Sequence, residues 1–290
     1  MRQLNALSIS RSIETALFCR NEPVLQVLAV FDRACTLVTA GGDVVALTFP
    51  EIGNGPLNIV VDGTPGDFAA IAAGMPVRLE TKQLRMRGLV VALDMAAPWN
   101  PYPEWDRLRA HHTADPERLG FVQAYALHHA AKDSLLALLR PDTAIPPAGH
   151  VTTAQAMLDH ALQAARRLSA GWQGSRHELE AGAAQLSGLG GGLTPAGDDF
   201  LAGVMLWAWL VHAAPDSFCQ WLLDACQPRT VTLSAAILRA AARGECSAQW
   251  HQLFLDLQDG SQQRITAAVQ GVLAHGHTSG ADTLAGFLWI

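Results

Sequence analysis

Apolar positions change their period once along the chain. From Val24 to Asp94 they come in short β-branched runs, VLQVLAVF, CTLVTA, VVALTF, LNIVVDG, VRLETK and GLVVALD, bounded by Gly, Pro, Asn or polar residues. Such runs predict strands, and GGD between the second and third predicts a hairpin turn. Six or seven strands in series predict a barrel or a sandwich, with Ala69 to Ala73 as one short helix among them. PWNPYP (Pro98 to Pro103) reads as a linker. Beyond it the spacing becomes i, i+3, i+4, which predicts helices over Leu119–Leu139, Thr152–Ala170, Ser175–Leu186, Asp199–Ala213, Ser217–Cys226, Ser234–Arg243, Ala248–Leu257 and Ser261–His275. PDTAIPPAG at 141–149 separates the first two. The expected fold class is α+β, with a mainly β domain at 1–100 and a mainly α-helical domain at 101–290.

Composition narrows the setting. With 50% hydrophobic and 16% charged residues, the chain can bury a sizeable core. A net charge of -6 leaves no basic face for a phosphate backbone, so nucleic acid is not an expected partner. The first residues, MRQLNALSISRSIETALF, lack the apolar core of a signal peptide. The longest apolar run, Phe200 to Ala214, contains His212 and falls short of the roughly 20 residues of a membrane span. Five cysteines (Cys19, Cys35, Cys219, Cys226, Cys246) without CxxC spacing read as reduced, mostly buried thiols. A soluble cytoplasmic protein follows.

The candidate chemistry lies in GLGGGLTPAGDDFLAG, Gly188 to Gly203. Asp198 or Asp199 sits where a first-turn acid belongs and can accept unpaired helix N–H groups. Capping explains one aspartate, not two in a row; the second needs another partner. A faint copy, GHTSGADTLAG at Gly276 to Gly286, repeats the order with Thr278, Asp282, Leu284 and Ala285 standing for Thr194, Asp199, Leu201 and Ala202. The bland account is two similar caps in a helical bundle. The sharper one is that paired helix N-termini pack side by side and their N–H groups form an anion pocket walled by acids. Three adjacent glycines favour the second, because a cap needs only one.

Familiar motifs do not fit. No Gly-Lys-Ser/Thr follows the loop, and Leu193 occupies the third glycine position of G-x-G-x-x-G. No HExxH or Cys-His zinc spacing occurs, so no metal ligands are assigned, although a Mg²⁺ held by aspartates and water stays open as a cofactor. Among the histidines, His277 alone falls inside a candidate loop. Gly-Asn-Gly-Pro within FPEIGNGPLNIVV reads as a tight turn, and Thr232 and Ser234 in RTVTLSAAILRAAARGE as an ordinary helix start.

GLGGGLTPAGDDFLAG resembles the GLGxGLTPxGDDxLxG signature of a formerly uncharacterised bacterial family. The resemblance continues in EIGNGP at 51–56, TLSAAILRAAARGE at 232–245 and GHTSGADTLAG at 276–286, in order along nearly the whole chain. Gly191 stands where the family usually has Pro or another residue, and Ala196 where Ser is common. One member is a subunit of oxamate carbamoyltransferase, which acts in anaerobic allantoin breakdown beside a subunit similar to an acyl-CoA synthetase. The resemblance therefore implies carbamoyl transfer between carbamoyl phosphate and oxamate/oxalurate, within a hetero-oligomer. It assigns Asp198, Asp199 and Asp282 to catalysis. Small anionic substrates fall to Asn54, Gly190, Gly191, Gly192, Thr194, Ser234, His277, Thr278 and Ser279. Competing readings are a non-catalytic anion-binding or scaffolding subunit, and a Mg²⁺-dependent enzyme acting on a small phosphorylated metabolite.

Overall fold

A computed structural model describes residues 2–19, 24–111, 114–140 and 152–290, without the side chain of Cys19. The predicted breaker at 141–149 lies outside the described residues. Two compact units divide the chain: Met1–Pro103 with Glu245–Ala248, and Glu104–Gly244 with Gln249–Ile290.

The first unit is a closed barrel. Its strands are β1 (Arg2–Ser10), β2 (Val24–Phe31), β3 (Ala34–Thr39), β4 (Val44–Thr48), β5 (Asn58–Val61), β6 (Pro76–Glu80), β7 (Gln83–Met86), β8 (Leu89–Ala92) and β9 (Ala97–Trp99), with helix α1 (Arg11–Cys19) after β1. Eight of them close a ring in the order β5-β4-β3-β2-β6-β7-β8-β1, because β1 also pairs with β5. Closure leaves no long edge open to pairing with another chain. β1 divides its pairing: Arg2 to Asn5 run parallel to β8, whereas Ser8 to Ser10 run parallel to β9. Alternate residues such as Leu4, Leu25, Val27, Leu37, Val45, Leu47 and Val91 point inward, and Phe49 stacks on Phe68 at 4.7 Å. The predicted GGD hairpin is present, with Gly42 donating to the Thr39 carbonyl at 3.0 Å.

Three expectations for this half are corrected. Ala69 to Ala73 form turns, held by the Gly66 and Phe68 carbonyls, and not a helix. Pro98 and Trp99, read as linker, belong to β9 because β1 offers them a pairing edge. β1, β7, β9 and α1 were not expected at all.

The second unit contains α2 (Trp105–Ala110), α3 (Pro116–His129), α4 (Thr153–Trp172), α5 (Arg176–Leu186), α6 (Ala196–Val211), α7 (Pro215–Cys226), α8 (Thr232–Ala242), α9 (Ala248–Asp259), α10 (Gln262–Leu273) and α11 (Ser279–Trp289). The single helix expected over Leu119–Leu139 is broken: α3 stops at His129 and a 3-10 turn takes Leu135–Leu139. α6 is the central helix, with thirteen of its sixteen residues buried, as an all-round apolar sequence requires. An aromatic cluster of Trp105, Trp209, Trp250, Phe254 and Phe287 packs around it. Arg109 forks onto the Trp209 carbonyl at 2.8 and 2.6 Å near the C-terminal end of α6, where a cation complements the helix dipole. No helix among the described residues is long and apolar enough to cross a membrane.

Candidate functional site at two converging helix starts

The faint sequence copy is a structural repeat. α5 and α6 flank the first glycine loop, and α10 and α11 flank the second. In each half the glycine two residues before the aspartate presses on the preceding helix. A Cβ on Gly197 would lie 2.0 Å from the Leu186 carbonyl oxygen, and one on Gly280 would lie 1.9 Å from that of Val272. The same glycine N–H groups turn back into their own loops, Gly197 to the Leu189 carbonyl at 2.9 Å and Gly280 to the His275 carbonyl at 3.0 Å. The glycine four residues after each aspartate packs on the other half. A Cβ on Gly203 would lie 1.9 Å from the Thr283 oxygen, and one on Gly286 would lie 1.9 Å from the Phe200 oxygen. These contacts are reciprocal, so α6 and α11 cross backbone to backbone about a local pseudo-twofold axis. The Leu-Ala-Gly repeat is the sequence cause: only glycine permits that approach.

Crossing in this way brings the two helix starts together. The Thr194 hydroxyl lies 2.9 Å from that of Ser279, and the Ser279 hydroxyl also bonds the Asp199 carboxyl. Neither helix has a side-chain cap at its N-cap residue, Pro195 or Thr278. Asp198, Asp199 and Asp282 are 1%, 4% and 0% exposed, so all three must find internal partners or remain costly.

Their partners differ. Asp198 is fully engaged: Oδ1 accepts the Gly188 N–H at 3.0 Å, while Oδ2 accepts the Ser234 hydroxyl at 2.8 Å and the Thr230 hydroxyl. It ties the first loop to the start of α8. Asp199 and Asp282 each keep one buried oxygen, Oδ2, with no hydrogen-bond partner. Burial pushes the Asp199 carboxyl well above the usual range; the Ser279 hydrogen bond opposes this, and the charges of Asp282 and Asp198 add to it. Burial also pushes Asp282 up to about 6, against the Leu135 N–H (2.6 Å from Oδ1) and the Thr278 hydroxyl, with Asp133 adding repulsion.

The other expected residues are placed as follows. Gly190, Gly191 and Gly192 form the exposed crest of the first loop. Gly190 has φ +113 and approaches the Ala196 N–H so closely that a Cβ would lie 2.9 Å from it, whereas a Cβ on Gly191 would meet nothing within 4 Å. His277 is on the surface, 84% exposed, 3.5 Å from Asp133. Ser234 reaches Asp198 and not the crest. Asn54 belongs to the barrel unit, where its side chain accepts the Ser8 hydroxyl at 2.6 Å and its carbonyl accepts the Ala248 N–H. The expectation of exposed first-turn N–H groups is corrected at Gly197 and Gly280, whose donors the Leu189 and His275 carbonyls already hold. Thr230 and Leu135 were missed; Thr230 precedes Ser234 by one helical turn, a usable signal, while Leu135 carries none.

Among the described residues no three His, Cys, Asp or Glu side chains gather to hold a metal ion. A cleft of about 390 Å³ beside Arg109, Leu210 and His212 lies at the other end of α6, away from these acids. Cys35, Cys219, Cys226 and Cys246 are buried free thiols; burial pushes Cys35 and Cys226 up to about 12 and raises Cys219 and Cys246 further, so they have no nucleophilic character.

The class these features define is an α+β protein, a closed barrel followed by a helical unit whose duplicated helix starts meet over buried carboxyls. Family models match both parts. Residues 5–98 match the model described as the AllH family N-terminal domain, and residues 186–290 match that described as oxamate carbamoyltransferase subunit AllH. The chain belongs to this family of oxamate carbamoyltransferase subunits. No solved structure matches it.

Proposed function

We propose that the chain is a cytoplasmic carbamoyltransferase subunit acting on oxamate/oxalurate with carbamoyl phosphate, in allantoin degradation, and that it works with partner chains including an acyl-CoA-synthetase-like subunit. Family membership supports the reaction class, and the word subunit in the family's description supports an assembly. The observation that carries the site is the meeting of two duplicated helix starts over Asp199 and Asp282, each with an unpartnered buried oxygen. Transfer of a carbamoyl group passes through a tetrahedral oxyanion, which preorganised donors stabilise by about 2.7–4 kcal/mol each. The crest Gly190, Gly191 and Gly192, with Thr194, Thr278 and Ser279, supplies donors for small anions. Asp199 and Asp282 handle the nitrogen end. Asp198 acts as a positioning residue, holding the loop through Gly188, Thr230 and Ser234.

The test is oxalurate phosphorolysis, and its reverse, by the chain assembled with its partner subunits. Omitting the chain is expected to abolish turnover, and Asp199→Ala or Asp282→Ala to lower it at least about a hundredfold, the scale of a lost transition-state contact. Full turnover without the chain refutes the assignment. Turnover that needs the chain but survives both substitutions leaves a scaffolding subunit instead.

A further inference from the structure

The repeat places Asp199 and Asp282 at the same point of their helices, the fourth residue, yet their surroundings are unequal. Asp282 Oδ1 accepts a main-chain N–H, that of Leu135 at 2.6 Å. A main-chain amide can only donate, so it favours the ionised carboxylate. Asp199 is bonded to the Ser279 hydroxyl, which can donate or accept and is itself 2.9 Å from the Thr194 hydroxyl. That partner tolerates a proton on Asp199. The charges acting on the pair are all negative: Asp198 and Asp282 on Asp199, and Asp133 on Asp282. Two buried carboxyls in such surroundings cannot both ionise.

The geometry points to a dyad that receives the primary carboxamide of the substrate, with the Asp199 O–H donating to the amide carbonyl and the Asp282 carboxylate accepting an amide N–H. Each unpartnered Oδ2 then gains a partner. A carboxamide presents one acceptor and one donor side by side, which is the complement of one acid and one carboxylate. A carboxylate or phosphate in the same place would meet the Asp282 charge and find a single donor. The anionic end of the ligand therefore belongs at the glycine crest, and the amide end belongs at the acids. This assignment rests on the proposed function for the identity of the ligand and deepens it by naming which end the acids hold. The raised Asp199 carboxyl, held up chiefly by burial, agrees with its role as donor.

The test measures binding of three amide–acid pairs to the full chain by calorimetry over a range of pH: oxamate and oxalate, malonamate and malonate, succinamate and succinate. For whichever pair binds, the amide is expected to bind at least about tenfold more tightly than the acid near neutrality, as a site built for a hydrogen-bonding pattern discriminates. The preference falls as Asp199 ionises at alkaline pH, and as Asp282 gains a proton below about 6. Asp199→Asn keeps a donor in place, so amide binding stays within about threefold and its alkaline decline disappears. Asp282→Asn removes the charge that rejects the acid, and the preference drops towards unity. Equal binding of amide and acid, no binding by any member, or identical behaviour of the two variants overturns the dyad. If Asp282→Asn fails to fold, the pH profile of Asp199→Asn decides alone. An amide preference seen with malonamate or succinamate but not oxamate upholds the dyad and overturns the oxamate assignment. Equal oxamate and oxalate binding, with carbamoyl transfer intact, does the reverse.

Discussion

Replacing Asp282 by Asn isolates the energetic cost of burying this acid. In the folded chain Asp282 is 0% exposed and its carboxyl is pushed from 3.8 up to about 6, chiefly by burial. A raised carboxyl binds its proton more tightly when folded, so its stabilising contribution is complete below about 3.8 and is lost as pH climbs through about 6. At about 1.4 kcal/mol per pH unit the loss is about 3 kcal/mol. Asn keeps an acceptor for the Leu135 N–H and carries no proton to lose. Wild-type stability relative to Asp282→Asn is therefore expected to fall by about 3 kcal/mol between pH 4 and pH 8. Urea unfolding followed by tryptophan fluorescence measures it. Trp99 is the one tryptophan of the barrel unit; the other seven belong to the helical unit and report its unfolding. Parallel profiles for the two proteins, or a difference of opposite sign, refute the idea that Asp282 is buried without a compensating cation.

Three further outcomes test the architecture. Gly203→Ala and Gly286→Ala each place a methyl 1.9 Å from a carbonyl oxygen of the crossing helix, so each is expected to cost about 3 kcal/mol or more by thermal denaturation. Gly191→Ala meets nothing within 4 Å and is expected to change stability by less than about 0.5 kcal/mol; a large loss of turnover in that variant then marks a ligand at the crest. Ser234→Ala takes one hydroxyl from the buried Asp198 carboxyl and is expected to cost about 1.5–3 kcal/mol in urea unfolding, with helix content by circular dichroism unchanged.

Much of the barrel was legible in local pattern. β2 to β6 and β8 coincide with the β-branched runs, because alternation reports directly which face of a strand is buried. β1 shows the same alternation at Leu4, Ala6 and Ile9, but RQLNALSIS was weighed only as a leader segment. β7 and β9 have four and three residues, too few to show a period; they are strands because β8 and β1 offer them unpaired edges. The interruption between α3 and the 3-10 turn follows a similar rule. The Leu135 N–H donates to Asp282, 147 residues away, and a continuous helix would have spent that donor internally.

The sequence by itself determined the change of period, the closely packing Leu-Ala-Gly repeat and the presence of a duplicated acidic loop, since each of these rests on interactions within a few residues. Only the tertiary structure decided how Asp198 and Asp199 divide their work. Neighbouring residues on a helix diverge by about 100°, so one side chain meets Thr230 and Ser234 on the α8 side and the other meets Ser279 at the second helix start. A carboxyl saturated by three donors is a fastening; one left with a bare buried oxygen is available to a ligand. That distinction depends on which distant groups the fold delivers, and no local pattern encodes it.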